Sequence, residues 1–409
     1  EKQVRAVFAQ REREYQARLS DVDAALRRER AAAQERLRQL KARDADSALI
    51  VAASRDLAAV PKDADSAREL WTRAMAESHE RAKPLGGLPH HAQAFVGDPK
   101  GSPQAQALFE TSRLNHLALM FCLMVGTAGL PHLLTRFYTT PTVREARSSV
   151  VWSLFFIALL YLSAPALAVL VKFEVMQGLV GSSFDSLPSW IGQWAKVDPA
   201  LISVSDVNGD RILQFGEIRI GADIVMLVTP EIGGLPYVVS GLVAAGGLAA
   251  ALSTADALLL TISNSIVRDV YCHEVSRHVT PEQRVILSKF ALLGIAMLAA
   301  FVAALKPADI LPLVAASFSL AASAFVPVMV LGIFWRGTTR AGAVAGMLAG
   351  LGLTVYYMLV NSPAVRSFAG LPPGADLWFG ILPISAGVFG VAVGALVAVV
   401  VSVLTRGSD

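Results

Sequence analysis

Apolar positions follow two different patterns along the chain. From Glu1 to about Lys83 they are sparse and recur at intervals of three and four, at Val22, Ala25, Leu26, Ala33, Leu37 and Leu40. That spacing makes one stripe along a helix but does not persist as a heptad, so it predicts one or two long, exposed helices folded as a hairpin, not a coiled-coil dimer. Ala, Arg, Glu and Gln dominate here, and Pro61 is the single proline before Pro84, which also favours helix. Lys83 to Pro103, rich in Pro and Gly, reads as a connecting loop. The adjacent His90 and His91 in it cannot share a helix face and are expected to face solvent. Further on, the apolar runs reach the length of a bilayer, about 20 residues of helix. Seven spans are predicted near 113–137, 148–172, 237–268, 285–305, 309–335, 341–361 and 376–404. Residues 1–105 then form a charged helical head with its loop, 106–409 a membrane domain, and 173–236 a long loop between spans. Within that loop the run Ala222 to Ile232 is half the spanning length and carries Pro230 and Glu231, so it is expected to be a helix at the membrane surface.

Composition agrees with an all-α integral membrane protein. Of the 409 residues 54% are hydrophobic and 17% charged, and mean hydropathy is +0.50, well above an ordinary soluble domain. Residues 1–83 hold 18 of the 36 Lys+Arg and 15 of the 33 Asp+Glu. Both signs alternate there, and with a net charge of +3 nothing points to nucleic acid. Cys122 and Cys272 lack metal or redox spacing and are expected to be inert. The chain opens at Glu1 without Met or a signal-like segment and reads as a C-terminal fragment. Between spans, one set of junctions carries Arg136, Arg144, Arg147, Arg268, Arg277, Arg284, Lys289, Arg336, Arg340 and Arg406. The alternate set has fewer basic residues over longer loops, so the C-terminus is expected inside and residues 1–105 outside.

The first span contains the run VGTAGLPHLLTRFYTTP, Val125 to Pro141. Gly126 and Gly129 loosen the backbone, and Pro131 removes the donor that would bond back to Thr127. A break in hydrocarbon persists only where protein or a wet cavity receives the freed groups. The expected use is ligand binding, with N–H groups for an anion and carbonyls for a cation; a simple kink is the alternative. The third span places Ser253, Thr254 and Asp256 in mid-helix. Gly246, Gly247 and the neighbouring alanines suit close helix packing, and hydroxyls can bond back to their own helix. Asp256 stands out, because an intramembrane carboxylate is costly and marks an ion path or a buried pair. Ser253 and Asp256, three apart, share a face on which hard oxygens suit Na+.

The runs GTAGLPHLLTRFYTTPTVREARSSV, AALSTADALLLTISNSIVRDVY and WRGTTRAGAVAGMLAGL resemble the sodium:solute symporter family, in its acetate-permease-like branch. The resemblance covers about 95–409; the outer head and the extended loop suggest a subfamily with insertions. It implies a LeuT-like fold of two inverted five-helix repeats, of which this chain supplies the second plus two extra C-terminal helices, with the missing N-terminal repeat of the same protein as a partner. It further implies a bacterial inner-membrane protein in which Na+ is co-transported. The ion would be held by Ala250, Ser253 and Thr254, with Asp256 standing where the family often has a small or hydroxyl residue, for a second cation or a proton. The carboxylate solute would sit against Gly126, Thr127, Ala128 and Gly129, with His132 a weaker contributor.

A separate cation site is expected in the loop. In DVNGDRILQFGE, the residues Asp206, Asn208, Asp210, Ile212, Gln214 and Glu217 occupy calcium-loop positions 1, 3, 5, 7, 9 and 12. Arg211 replaces the usual glycine at position 6, and no second loop pairs with it; a polar loop without metal is the alternative.

These readings favour a secondary symporter coupling Na+ entry to uptake of a small monocarboxylate such as acetate, and no enzyme. A membrane-anchored Ca2+-binding sensor or scaffold on a transporter-like body is the rival. An intramembrane enzyme using His132 and Asp256 fails for want of a nucleophile and base at workable spacing.

Overall fold

The computed structural model describes residues 1–409 except 44–46, 85–94, 138–139, 200, 222–223, 276–278, 306–309, 363–364, 367–368, 371–375 and 407–409. The His90–His91 pair therefore lies outside the described residues. The chain divides into two compact units, one of residues 1–92 and 164–240, the other of 93–163 and 241–409.

The first unit opens with four helices, α1 (Lys2–Ser20), α2 (Val22–Ala42), α3 (Ser47–Ala59) and α4 (Ala64–Ala82), where the sequence pattern predicts one or two. The first interruption is Asp21, in non-helical backbone (φ −145°, ψ 81°), whose carboxylate accepts from the Ala24 amide at 3.1 Å. An acid in this position satisfies one of the orphan donors at a helix start. Asp63 does the same for α4, accepting from Ser66 N at 2.8 Å. The apolar stripe closes over Trp71, which is buried with Val22, Leu26 and Ala67. Arg30 donates to the Pro61 carbonyl at 2.7 Å and holds the α3–α4 connection against α2.

Later segments of this unit form a second small core. Helix α8 (Ser189–Val197), strands β1 (Ile202–Val204) and β2 (Ile218–Ile220), and helix α9 (Val225–Ile232) bury Trp190, Ile191, Ile202, Leu213, Ile224 and Val228 together. The strands are antiparallel, with Ile202 opposite Ile220, and bracket the Asp206–Glu217 loop. Helix α9 corresponds to the run expected at a membrane surface. Its Val228 is fully buried in this core and Glu231 accepts from Trp194 Nε1 at 3.1 Å, so its apolar side packs against protein.

Among the described residues seven helices are long and apolar enough to cross a bilayer: Pro103–Thr135, Val143–Leu179, Tyr237–Cys272, Pro281–Ala304, Ile310–Phe334, Arg340–Val360 and Pro383–Thr405. The chain is thus a predominantly helical, multi-pass membrane protein. The elements concerned are α5 (Pro103–Gly129), α6 (Pro131–Phe137), α7 (Val143–Glu174), α10 (Tyr237–Asn264), a π-helix (Ser265–Val275), α11 (Pro281–Ala304), α12 (Ile310–Phe334), α13 (Arg340–Val360) and α14 (Gly387–Thr405).

In the second unit α5, α12, α13 and α14 pack as a bundle. Lipid supplies no hydrophobic force between helices, so small residues that let backbones approach do this work. Gly342, Gly346 and Gly350 on α13 lie against Ser402, Ala398, Gly394 and Gly390 on α14; a methyl at Gly346 would sit 2.8 Å from the Gly394 carbonyl oxygen. Asn115 of α5 ties down the turn before α14, donating to Gly380 O and accepting from Leu382 N, both at 2.7 Å.

Candidate functional site

The first span is broken, and the break lies at Leu130. Helix α5 runs through Gly126 and Gly129 without interruption, Leu130 is extended (φ −71°, ψ 115°), and α6 begins at Pro131. The proline ring disfavours helical backbone in the residue before it and brings no N–H of its own. The Leu130 carbonyl starts the next half, accepting from Leu133 N and Leu134 N at 3.1 and 3.2 Å.

The two glycines expected at the solute site also meet a neighbouring helix. Gly126 faces the Phe318 carbonyl and Gly129 the Ala321 carbonyl, both on α12, so their missing side chains serve helix packing. Thr127 and Ala128 lie on the exposed side of α5, and the Thr127 hydroxyl donates to Leu123 O at 2.6 Å. His132 is half-buried on the first turn of α6, and its carbonyl accepts from the Thr135 hydroxyl at 3.2 Å.

On α10, Ala250, Ser253 and Thr254 fall at i, i+3 and i+4, one face of the helix. The Thr254 hydroxyl donates to the Ala250 carbonyl at 3.1 Å, which sets two of the expected Na+ ligands side by side. All three residues and Asp256 are exposed, and α10 makes no extended contact with α5 or any other described helix. The two halves of the expected site are thus each formed locally but not brought together by packing. A helix face with two hydroxyls and a carboxylate is a poor surface for hydrocarbon.

The Asp206–Glu217 loop closes on itself. Asp206 accepts from Gly209 N (2.7 Å) and Arg211 N (3.1 Å). Asp210 accepts from Ile212 N (2.8 Å), and also from the amides of Asn208 and Gln214 (both 2.6 Å). The Ile212 N–H, first among these donors, holds the Asp210 carboxyl below its ordinary value. Glu217 is fully buried and takes Val207 N at 2.8 Å and Gln214 N at 3.1 Å. Arg211 adopts the left-handed φ of 59° for which that position ordinarily uses glycine. The carboxylate oxygens are therefore occupied by the loop's own donors, and among the described residues no group of three or more His, Cys, Asp or Glu is arranged to hold a metal. The calcium site expected from the spacing of Asp206, Asn208, Asp210, Ile212, Gln214 and Glu217 is not supported.

Comparison with known proteins bears on the membrane part. Residues 224–350 match the sodium:solute symporter family. That segment contains α10 with Ala250, Ser253, Thr254 and Asp256. An uncharacterized symporter of Cupriavidus necator is 49% identical over 405 residues, covering 99% of this chain and 58% of that protein. The monocarboxylic acid transporter of Corynebacterium glutamicum is 28% identical over 270 residues, 65% of this chain and 42% of its own length. An uncharacterized symporter of Bacillus subtilis is 26% identical over 259 residues, 63% of this chain and 43% of its own length. The chain spans about half the length of these relatives. No solved structure matches it. The family and the relatives' names are those of transporters, not enzymes.

One signal in the sequence goes unused by the reading above. Gly342, Gly346 and Gly350 recur every four residues, as do Gly390, Gly394, Ala398 and Ser402, a pattern that predicts the α13–α14 contact.

Proposed function

We propose that the chain is the membrane body of a secondary symporter that couples Na+ entry to uptake of a small monocarboxylate, acetate being the simplest. The observation that carries this is the interruption of a spanning helix at Leu130. Backbone groups freed at that depth need a ligand or a wet cavity. The family match over α10 and the name of the Corynebacterium relative support the choice of Na+ and of the solute class.

In this reading the Na+ ion binds the α10 face of Ala250, Ser253 and Thr254, with Asp256 next to it. The solute carboxylate binds at the α5–α6 break by Thr127, Ala128 and His132. Gly126 and Gly129 keep α5 seated on α12 so that the break holds its place. No bond is made or broken. Cation binding favours an outward-open state, and joint occupancy permits the change to inward-open. The protein lies in the bacterial inner membrane, with residues 1–105 outside and the C-terminus inside. A calcium sensor is not favoured, since the carboxylates of its expected site already accept from the loop's own N–H groups.

The deciding experiment measures labelled acetate entering vesicles from cells that express the gene encoding this chain, with and without an imposed Na+ gradient. Gradient-dependent uptake is expected. Uptake indifferent to Na+ would overturn the proposed coupling, and no uptake of any C2–C3 monocarboxylate would overturn the solute class.

A further inference from the structure

A cleft of about 400 Å³ opens between the end of the Tyr237–Cys272 span and the start of α11. Its walls come from two helical stripes. Leu260, Asn264 and Arg268 recur at intervals of four on one side; Arg284, Val285, Ser288, Lys289 and Leu292 share a face of α11 on the other. The Ser263 hydroxyl is fully buried and donates to the Ser288 carbonyl at 2.7 Å, stapling the helices beside the cleft. A second cavity of about 390 Å³ adjoins it, sharing Arg268 and Arg284 and adding Asp269 and Cys272.

Three cations, Arg268, Arg284 and Lys289, line the first cleft, and among the described residues no carboxylate does. Asp269 is the one acid of the adjoining cavity, and among the described residues none of the three cations forms an ion pair within 4.0 Å. Three like charges around one cleft focus a positive potential, and guanidinium forks match phosphate oxygens in pairs. The remaining lining, Leu260, Val285 and Leu292, is apolar and continues the surface of the two spans. A soluble anion would use the cations and leave that apolar wall uncovered. We propose that the cleft binds an anionic phospholipid of the phosphatidylglycerol type, with its phosphodiester between Arg268 and Arg284, Lys289 beside it, and an acyl chain along Leu260, Val285 and Leu292. Basic pockets between membrane helices suit such headgroups, and this assignment is independent of the transported solute.

Native mass spectrometry of the 409-residue chain in mild detergent tests it, with phosphatidylglycerol and phosphatidylcholine of identical acyl chains supplied in turn. Wild type is expected to retain phosphatidylglycerol preferentially, and Arg268→Gln/Arg284→Gln to lower that retention about tenfold or more, since each basic residue near an anionic headgroup counts for roughly a factor of five. Lys289→Gln should give a smaller loss in the same direction. Should the double variant not insert, the wild type still decides. Raising salt to about half-molar should release phosphatidylglycerol and not phosphatidylcholine, because the attraction is screened. Equal retention of both lipids, or retention unchanged by salt, overturns the proposal. Displacement of the lipid by inorganic phosphate at equal concentration overturns it in favour of a soluble-anion site.

Discussion

Gly126 of α5 lies directly against the main-chain carbonyl of Phe318 on α12. A Cβ there would run into backbone, which cannot swing aside as a flexible side chain does. Gly126→Val should therefore destabilise the α5–α12 contact by about 1–3 kcal/mol, the usual cost of overpacking, and lower the melting temperature in detergent. Thr127→Val, on the exposed side, should leave melting unchanged. Equal effects at both positions would mean that α5 is not held on α12 in this way.

The break at Leu130 depends on Pro131. Replacing the ring by Ala returns an N–H that reaches back to Thr127 O and lifts the restriction on Leu130. Pro131→Ala is expected to join α5 and α6, leaving thermal stability unchanged or raised while Na+-driven uptake falls. Retained uptake would show that the interruption is incidental to transport.

On α10 the hydroxyls of Ser253 and Thr254 share a face with the Ala250 carbonyl. A hydroxyl that contacts a charged ligand contributes about 1.5–3 kcal/mol, roughly ten- to hundredfold in affinity. Ser253→Ala and Thr254→Ala should each weaken Na+ activation of uptake by that factor. Ser240→Ala, at the start of the same helix, should not. A normal Na+ dependence in both variants would remove the ion from this face.

How much of this could be read from the sequence varies by feature. The seven spans were legible because a bilayer imposes a length that one dimension records. That the first span breaks was legible too, through Pro131. Its register was not, because proline acts on the residue before it, and the nearby glycines leave two readings open. A glycine gives freedom of φ or absence of a side chain, and only the neighbour across the interface, here Phe318 or Ala321, tells which. The loop shows the same limit. Its spacing fixes where Asp206, Asp210 and Glu217 fall, yet not whether their oxygens meet an ion or the amides of Arg211, Ile212 and Val207. Asp21 escaped notice as a helix boundary because neither Gly nor Pro marks it.

Within the first unit Arg81 joins the head to the loop. Its guanidinium donates to Gly216 O at 3.2 Å and sits 5.3 Å from the ring centre of Phe8. Val4 and Phe8 are themselves buried. A charge-assisted hydrogen bond and a cation–π contact together suggest about 2 kcal/mol, so Arg81→Ala should lower stability by that amount and quicken proteolysis within 205–220. Arg81→Lys should recover part, lacking the planar fork. By contrast Glu77 and Arg219 meet at 3.4 Å with both side chains about half exposed, a pairing of 0–1 kcal/mol. Arg219→Gln should leave stability nearly unchanged, whereas Glu77 also accepts from Arg81 at 2.8 Å.

Acid should act first on carboxylates that accept backbone N–H groups. Asp210 is held below its ordinary value by the Ile212 N–H, and Asp63 by the Ser66 N–H. A carboxyl whose folded pKa is depressed contributes stability above its unfolded value and loses it as pH falls through the folded one. The loop and the α4 cap are therefore expected to hold at neutral pH and loosen only below the ordinary aspartate range. Both groups are fully exposed, so each effect is small and partly screened. The protection of the Ile212 and Ser66 amides against exchange, relative to their intrinsic rates, should fall in that window as pH goes from neutral to acid, and Asp210→Asn should abolish this pH dependence at Ile212 alone. Protection at Ile212 that falls already near neutrality would place the controlling group elsewhere.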